Sequence, residues 1–231
     1  MLVRRLFLLF SLVMALPGAQ ADDTLARRAR ACTVCHGDQG RAAADGYHPR
    51  IAGKPAGYLF EQLLAFRDGR RRYALMTQLL EPLSDDALRQ LAGHFAALDL
   101  PHAAPVPAAV PPATLARGER LVRQGDAARQ LPACTACHGD ALTGVQPAIP
   151  SLLGLPRDYL NAQLGAWREG TRHARAPDCM ADITRALAPE DIGALSAWLS
   201  AQPVPAAASA AAALPRPMPL RCGSAPGQGQ P

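Results

Sequence analysis

The chain has 231 residues, with 24 Lys and Arg against 19 Asp and Glu for a formal charge of +5. That length allows one or two globular domains, and so small a surplus, partly supplied by Arg4 and Arg5 at the N-terminus, is no basis for a nucleic-acid function. Beyond the first 21 residues nothing resembles a membrane span.

Residues 1–21 read as a secretory leader: Arg4 and Arg5 form the charged start, residues 6–16 the apolar stretch, and Ala19-Gln20-Ala21 the small-residue cleavage site. The mature chain is expected to begin at Asp22 in an oxidising compartment, a bacterial periplasm fitting best. Thr24 or Asp23 can cap a first helix, whose Arg27, Arg28 and Arg30 read as a solvated face.

That helix leads into Cys32-Thr33-Val34-Cys35-His36, and the same pattern returns at Cys134-Thr135-Ala136-Cys137-His138. Cys-x-x-Cys-His is the attachment signature of c-type haem: two thiols one helical turn apart can both add to the vinyl groups of one porphyrin. The adjacent His36 or His138 then supplies the proximal iron ligand. A zinc site or a dithiol redox pair is the rival, but the pairs lie about one small domain apart and each ends in its own His.

The rest of the first half follows the pentad. Gly37-Asp38-Gln39-Gly40 is a turn, and Tyr58, Leu59, Leu63 and Phe66 mark one apolar helix face that stops at Asp68-Gly69. Met76 comes next, in a loop-like stretch between two helices, as the sixth iron ligand; a thioether raises the haem potential relative to a second imidazole. His48 is its rival, and Arg70, Arg71 and Arg72 either pair with haem propionates or form a plain exposed cluster. Ser84-Asp85-Asp86 opens a last helix with Leu88, Leu91, Phe95 and Leu98 on its core face.

Residues 101–113 hold five prolines and no charge, which reads as an extended connector. From Thr114 the first half is replayed. The pentads are offset by 102 residues, Tyr58-Leu59 matches Tyr159-Leu160 at 101, and Phe66-Arg67-Asp68-Gly69 matches Trp167-Arg168-Glu169-Gly170. Met180, the second sixth-ligand candidate, arrives three residues later than that repeat predicts, so the extra residues fall in the ligand loop. The final helix has Ile192, Leu195, Trp198 and Leu199 as its apolar face, Pro189 in its first turn and Ala188 as a poor cap. His173 is a spare ligand candidate. Aromatic residues are few outside the leader, and a covalently held porphyrin would supply the missing core of two small domains.

Cys179 and Cys222 remain. A disulfide between them ranks first; a Cys179 thiolate ligand and a resolving thiol are the alternatives. Residues 203–231 are rich in Ala, Pro and Gly and read as a disordered tail, with Met218 a poor axial candidate.

The two pentads, Pro49-Arg50-Ile51-Ala52-Gly53 with Tyr58-Leu59 and Gln62-Leu63, Phe66-Arg67-Asp68-Gly69, Met76, Leu83-Ser84-Asp85-Asp86 and their second-half counterparts together resemble the dihaem cytochrome c4 family. The resemblance runs over nearly all of residues 22–202. It implies an all-α protein of two tandem cytochrome c-type domains, 22–100 and 114–202, each around one covalently bound haem c. It further implies His36/Met76 and His138/Met180 as axial pairs. Such proteins are periplasmic electron carriers, often peripherally associated with the membrane, whose partners are terminal oxidases or other redox enzymes. Cys179, the longer second ligand loop and the tail with Cys222 depart from that pattern.

The expected function is therefore a dihaem electron carrier with no catalytic residues, both irons being closed to substrate. The alternatives are an oxidoreductase resembling thiosulfate dehydrogenases with a Cys179-ligated haem, the electron-accepting cytochrome subunit of a periplasmic dehydrogenase, and a haem-based sensor.

Overall fold

The computed structural model describes residues 18–43, 45–206, 208–225 and 227. The first 17 residues of the expected leader lie outside that set. Among the described residues there are nine α-helices, two short 3-10 turns and no strand.

In the first half, α1 (Gly18–His36) ends on the pentad. It begins upstream of Asp23 and Thr24, so neither caps it; Ala19, Gln20 and Ala21 are good helix formers and carry the helix through them. Helix α2 (Ala56–Arg67), α3 (Ala74–Leu80) and α4 (Asp85–Ala96) follow. Ala29 of α1, Leu59 of α2 and Leu91, Ala92 and Phe95 of α4 make one core; Leu64, Phe66, Leu80 and Leu88 make a second. Leu88 and Leu91 are 0% and 2% exposed, and each such side chain stabilises the fold by about 1.5–3 kcal/mol. Ser84 caps α4 as expected, its Oγ accepting from the Ala87 amide at 3.2 Å. Arg67 ties the end of α2 to that cap through Asp85 at 2.7 Å and the Leu83 carbonyl at 3.1 Å.

The second half repeats this plan with α5 (Pro112–Gln124), α6 (Thr135–His138), α7 (Arg157–Arg168), α8 (Cys179–Arg185) and α9 (Pro189–Ser200). One difference stands at its start. In the first half a single helix runs into the pentad, whereas here α5 stops at Gln124 and a loop closed by an Asp126–Leu131 bridge intervenes. Helices α5 and α9 cross closely at Gly118, where a Cβ would stand 2.2 Å from the Ala194 carbonyl oxygen. Sandwiched between α5 and α7, α9 is buried well beyond its expected face, Asp191, Ala194, Ser196 and Ala197 included. Asp191 also makes good the poor cap: its Oδ2 accepts from the Ala188 amide at 2.9 Å.

The proline-rich connector is irregular from Pro101 to Pro111, and α5 begins at Pro112. Buried Arg50 anchors its start, donating to the carbonyls of Ala52, Leu100 and Pro101. Within the tail, residues 208–225 are not the disordered segment their composition suggests. Met218, Cys222 and Ala225 are buried with Val145 and Ile149, and Ala211 bridges Val145. A disulfide joins Cys179 to Cys222. That cross-link and the shelter of the second half supply what a segment this poor in apolar side chains lacks by itself.

Candidate haem sites

Each half carries one cavity floored by its pentad. Cys32, Cys35 and His36 line the first together with Met76, and Cys134, Cys137 and His138 line the second together with Met180. Every residue expected to attach or ligate haem is thus brought to one of two cavities. Neither methionine lies in a loop as expected: Met76 is in the first turn of α3 and Met180 in the first turn of α8.

The histidines are pre-oriented. His36 and His138 are buried, and each directs Nδ1 at a backbone oxygen, Pro49 at 2.7 Å and Pro150 at 2.9 Å. A carbonyl only accepts, so Nδ1 carries the proton and Nε2 keeps its lone pair. Burial also holds both imidazoles below the ordinary histidine range, that is, neutral. Burial pushes the Cys32 thiol up to about 11 and the Cys134 thiol up to about 12. Among the described residues no three His, Cys, Asp or Glu side chains gather into a metal cage, and the zinc reading has no geometric support.

His48 lines the first cavity too. Its Nδ1 is 2.7 Å from Asp45 Oδ2, an interaction that holds the Asp45 carboxyl down to about 2, and its neighbour Pro49 backs the His36 ring on the Nδ1 side. His173 is exposed and borders neither of these cavities. Cys179 has no thiolate to offer, being half of the disulfide.

The two cavities share a wall built from both halves. Tyr58 and Gln62 of α2 and Tyr159, Gln163 and Arg172 from the second half border both. Arg71 donates to Gln62, Tyr159 and Gln163, and Arg172 donates to Gln163 and Gln62, at 2.6–3.1 Å. Arg71 lies over Phe66 with 4.4 Å to the ring centre, and Arg172 over Trp167 with 3.6 Å. Tyr58, Gln62, Phe66 and Arg71 recur as Tyr159, Gln163, Trp167 and Arg172 at one constant offset, so the wall has pseudo-twofold symmetry. The 101-residue repeat carries this signal, although a repeat by itself aligns two halves without saying that the matched residues meet.

This wall fits a porphyrin's acidic edge. Arg71 and Arg172 are 9% and 4% exposed, and their hydrogen-bond acceptors are neutral. Burial, then the neighbouring Arg71 charge, brings Arg172 down to about 10, so an anion between the two cations would relieve both. Trp167 Nε1 is buried without an acceptor, and Trp167 lines the second cavity. Two propionate-bearing edges would supply that charge and that acceptor.

The chain is similar to known cytochromes. The cytochrome c family model matches residues 115–202. The chain is 36% identical to a thiosulfate dehydrogenase electron acceptor from Thiomonas intermedia over 76% of this chain and 80% of the relative. It is also 36% identical to cytochrome c4 from Pseudomonas aeruginosa over 78% and 88% of the two chains. Among solved structures, reduced cytochrome c4 from Pseudomonas stutzeri superposes with a TM-score of 0.67 at 30% identity, covering 77% of this chain and 96% of the other. A thiosulfate dehydrogenase from Marichromatium purpuratum superposes at 0.62 and 32% identity, with only 40% of that chain covered. With two helical halves, two covalently bound haem c groups and electron transfer as its function, the chain belongs to the cytochrome c4 family.

Proposed function

We propose that Cys32 and Cys35 hold one haem with His36 and Met76 on its iron, and that Cys134 and Cys137 hold the other with His138 and Met180. The observation that carries this reading is the pair of cavities, each with its pentad and a first-turn methionine, meeting at a wall of buried arginines. His48 gives way to Met76 because Asp45 engages it beside the backbone that supports His36. The halves are 22–100 and 114–202, joined by 101–113.

In this reading the protein is a periplasmic carrier and not an enzyme, exported by residues 1–21. Bound haem supplies one-electron exchange. The chain's residues would keep each imidazole in one tautomer, exclude water, and hold the two groups on either side of the shared wall. Among the described residues no helix is long and apolar enough to cross a membrane. The donor is a periplasmic dehydrogenase of the thiosulfate-oxidising class, as the name of the Thiomonas relative suggests, and the acceptor a terminal oxidase. The Cys179–Cys222 disulfide weighs against the Cys179-ligated enzyme.

Mixing the oxidised protein with thiosulfate, with and without a thiosulfate dehydrogenase, separates carrier from enzyme. Reduction only when the dehydrogenase is present is expected; catalytic turnover of thiosulfate by the purified protein alone would contradict it.

A further inference from the structure

The two cavities differ in one respect. In the first half Val34 is 83%, Tyr47 56% and Leu75 62% exposed, and Cys35 is exposed as well. In the second half the position before the methionine is Cys179, tied to Cys222, and Cys137 is half-buried. What covers it is residues 208–225. Met218, Leu220, Cys222, Ser224 and Ala225 line the second cavity beside Met180 and His138, and Met218 and Cys222 pack with Cys137 and Cys179.

The segment is fixed at both ends. At one end Gln146 donates to the Ala211 carbonyl at 2.8 Å and Ala211 to that of Gly144 at 2.9 Å. At the other, Gly223 donates to the Pro177 carbonyl at 2.9 Å and the Arg175 amide to Ser224 Oγ at 3.1 Å. Gly223 is placed so tightly that a Cβ would stand 2.2 Å from the Ala176 carbonyl oxygen. One end thus rests on the loop that leads to Pro150 and the His138 side, the other on the loop that leads into α8 and Met180.

Building on the proposed haem assignment, we propose that residues 208–225 are a cover for the second haem, positioned by Cys179–Cys222, which seats Met180 and keeps water from that iron while the first haem stays open. Met218 and the disulfide are positioning residues. A dry wall disfavours the additional charge of ferric iron and raises the potential, and a cross-link one residue before Met180 limits how far its thioether can swing from the iron.

The test uses full-length Cys179→Ser/Cys222→Ser protein, and the same protein carrying Gly223→Val to wedge the segment away from Ala176. Two attached haems by mass are expected in each. One of the two midpoint potentials falls, further in the triple variant, while the other stays at its original value. The reduced variants take up about one carbon monoxide per two haems where the unaltered protein takes up none. Should the triple variant fail to accumulate, the double variant carries the test. Unchanged potentials with no carbon monoxide uptake would overturn the cover. Fewer than two haems on the unaltered chain would instead overturn the haem assignment, and the cover with it.

Discussion

Arg71 and Arg172 are paired across the two halves in an antiparallel bridge, each donating to the glutamine of the opposite half, Arg71 to Gln163 at 2.6 Å and Arg172 to Gln62 at 2.8 Å. Two guanidiniums buried side by side repel each other and lose hydration. An anion at the wall common to both cavities would relieve both charges, and haem carboxylates could fill that place.

Replacing Arg172 with Gln removes a buried cation next to both pockets. Both midpoint potentials should fall, because less positive charge favours ferric iron, and the fold should lose about 2–3 kcal/mol with two charge-assisted hydrogen bonds gone. Arg172→Lys, which keeps the charge, should restore the potentials but not the stability, since one ammonium cannot reach both glutamines and stack on Trp167. Spectroelectrochemistry and thermal unfolding read the two effects.

Met76→Ala and Met180→Ala should each remove about half of the weak far-red absorption that methionine gives to ferric haem, and the double substitution all of it. His48→Ala should leave the band intact. A band left unaltered by Met76→Ala would move the first axial ligand to His48.

Asp191 is fully buried and meets Arg117 and Arg129, each at 2.7 Å. Burial alone would raise its pKa, but Arg129, the Ala188 amide and Arg117 together hold it below the usual carboxylate range. Its contribution is therefore present above the unfolded value of about 4 and is lost as pH falls through the lower folded value. Asp191→Asn should destabilise the second half by about 2 kcal/mol at neutral pH, with the difference from the parent shrinking in acid. Urea unfolding at pH 7 and pH 3 measures it.

Gly118→Val should cost about 1–3 kcal/mol by overpacking the crossing of α5 and α9, visible as a lowered unfolding temperature. Gly193, on α9, has nothing within 4 Å of where a Cβ would stand, and should accept Ala at no cost or with a gain of up to about 1 kcal/mol.

The parts legible in the sequence are those with a local signature. The pentads, the Ser84 cap and the apolar faces of α4 and α9 depend on residues within a few positions of each other, and they appear where expected except that Leu98 packs on the core from beyond the end of α4. The arginine wall is partly legible: the repeat pairs Tyr58 with Tyr159 and Gln62 with Gln163, but only the fold brings these pairs to one plane. Residues 208–225 of the tail are misread from composition, because composition reports what a segment can bury alone. Residues 208–225 are ordered by a cross-link and by the half they lean on, and Met218 gains its burial from Val145 and Ile149, more than 65 positions away.

That each half closes around one covalently attached haem is tested most directly by the intact mass, under denaturing conditions, of the protein produced in a host competent for c-type cytochrome maturation. A chain carrying two haems is predicted, falling to one when Cys134 and Cys137 are both replaced by Ser. A chain with no attached haem, or two haems retained in that variant, would contradict it.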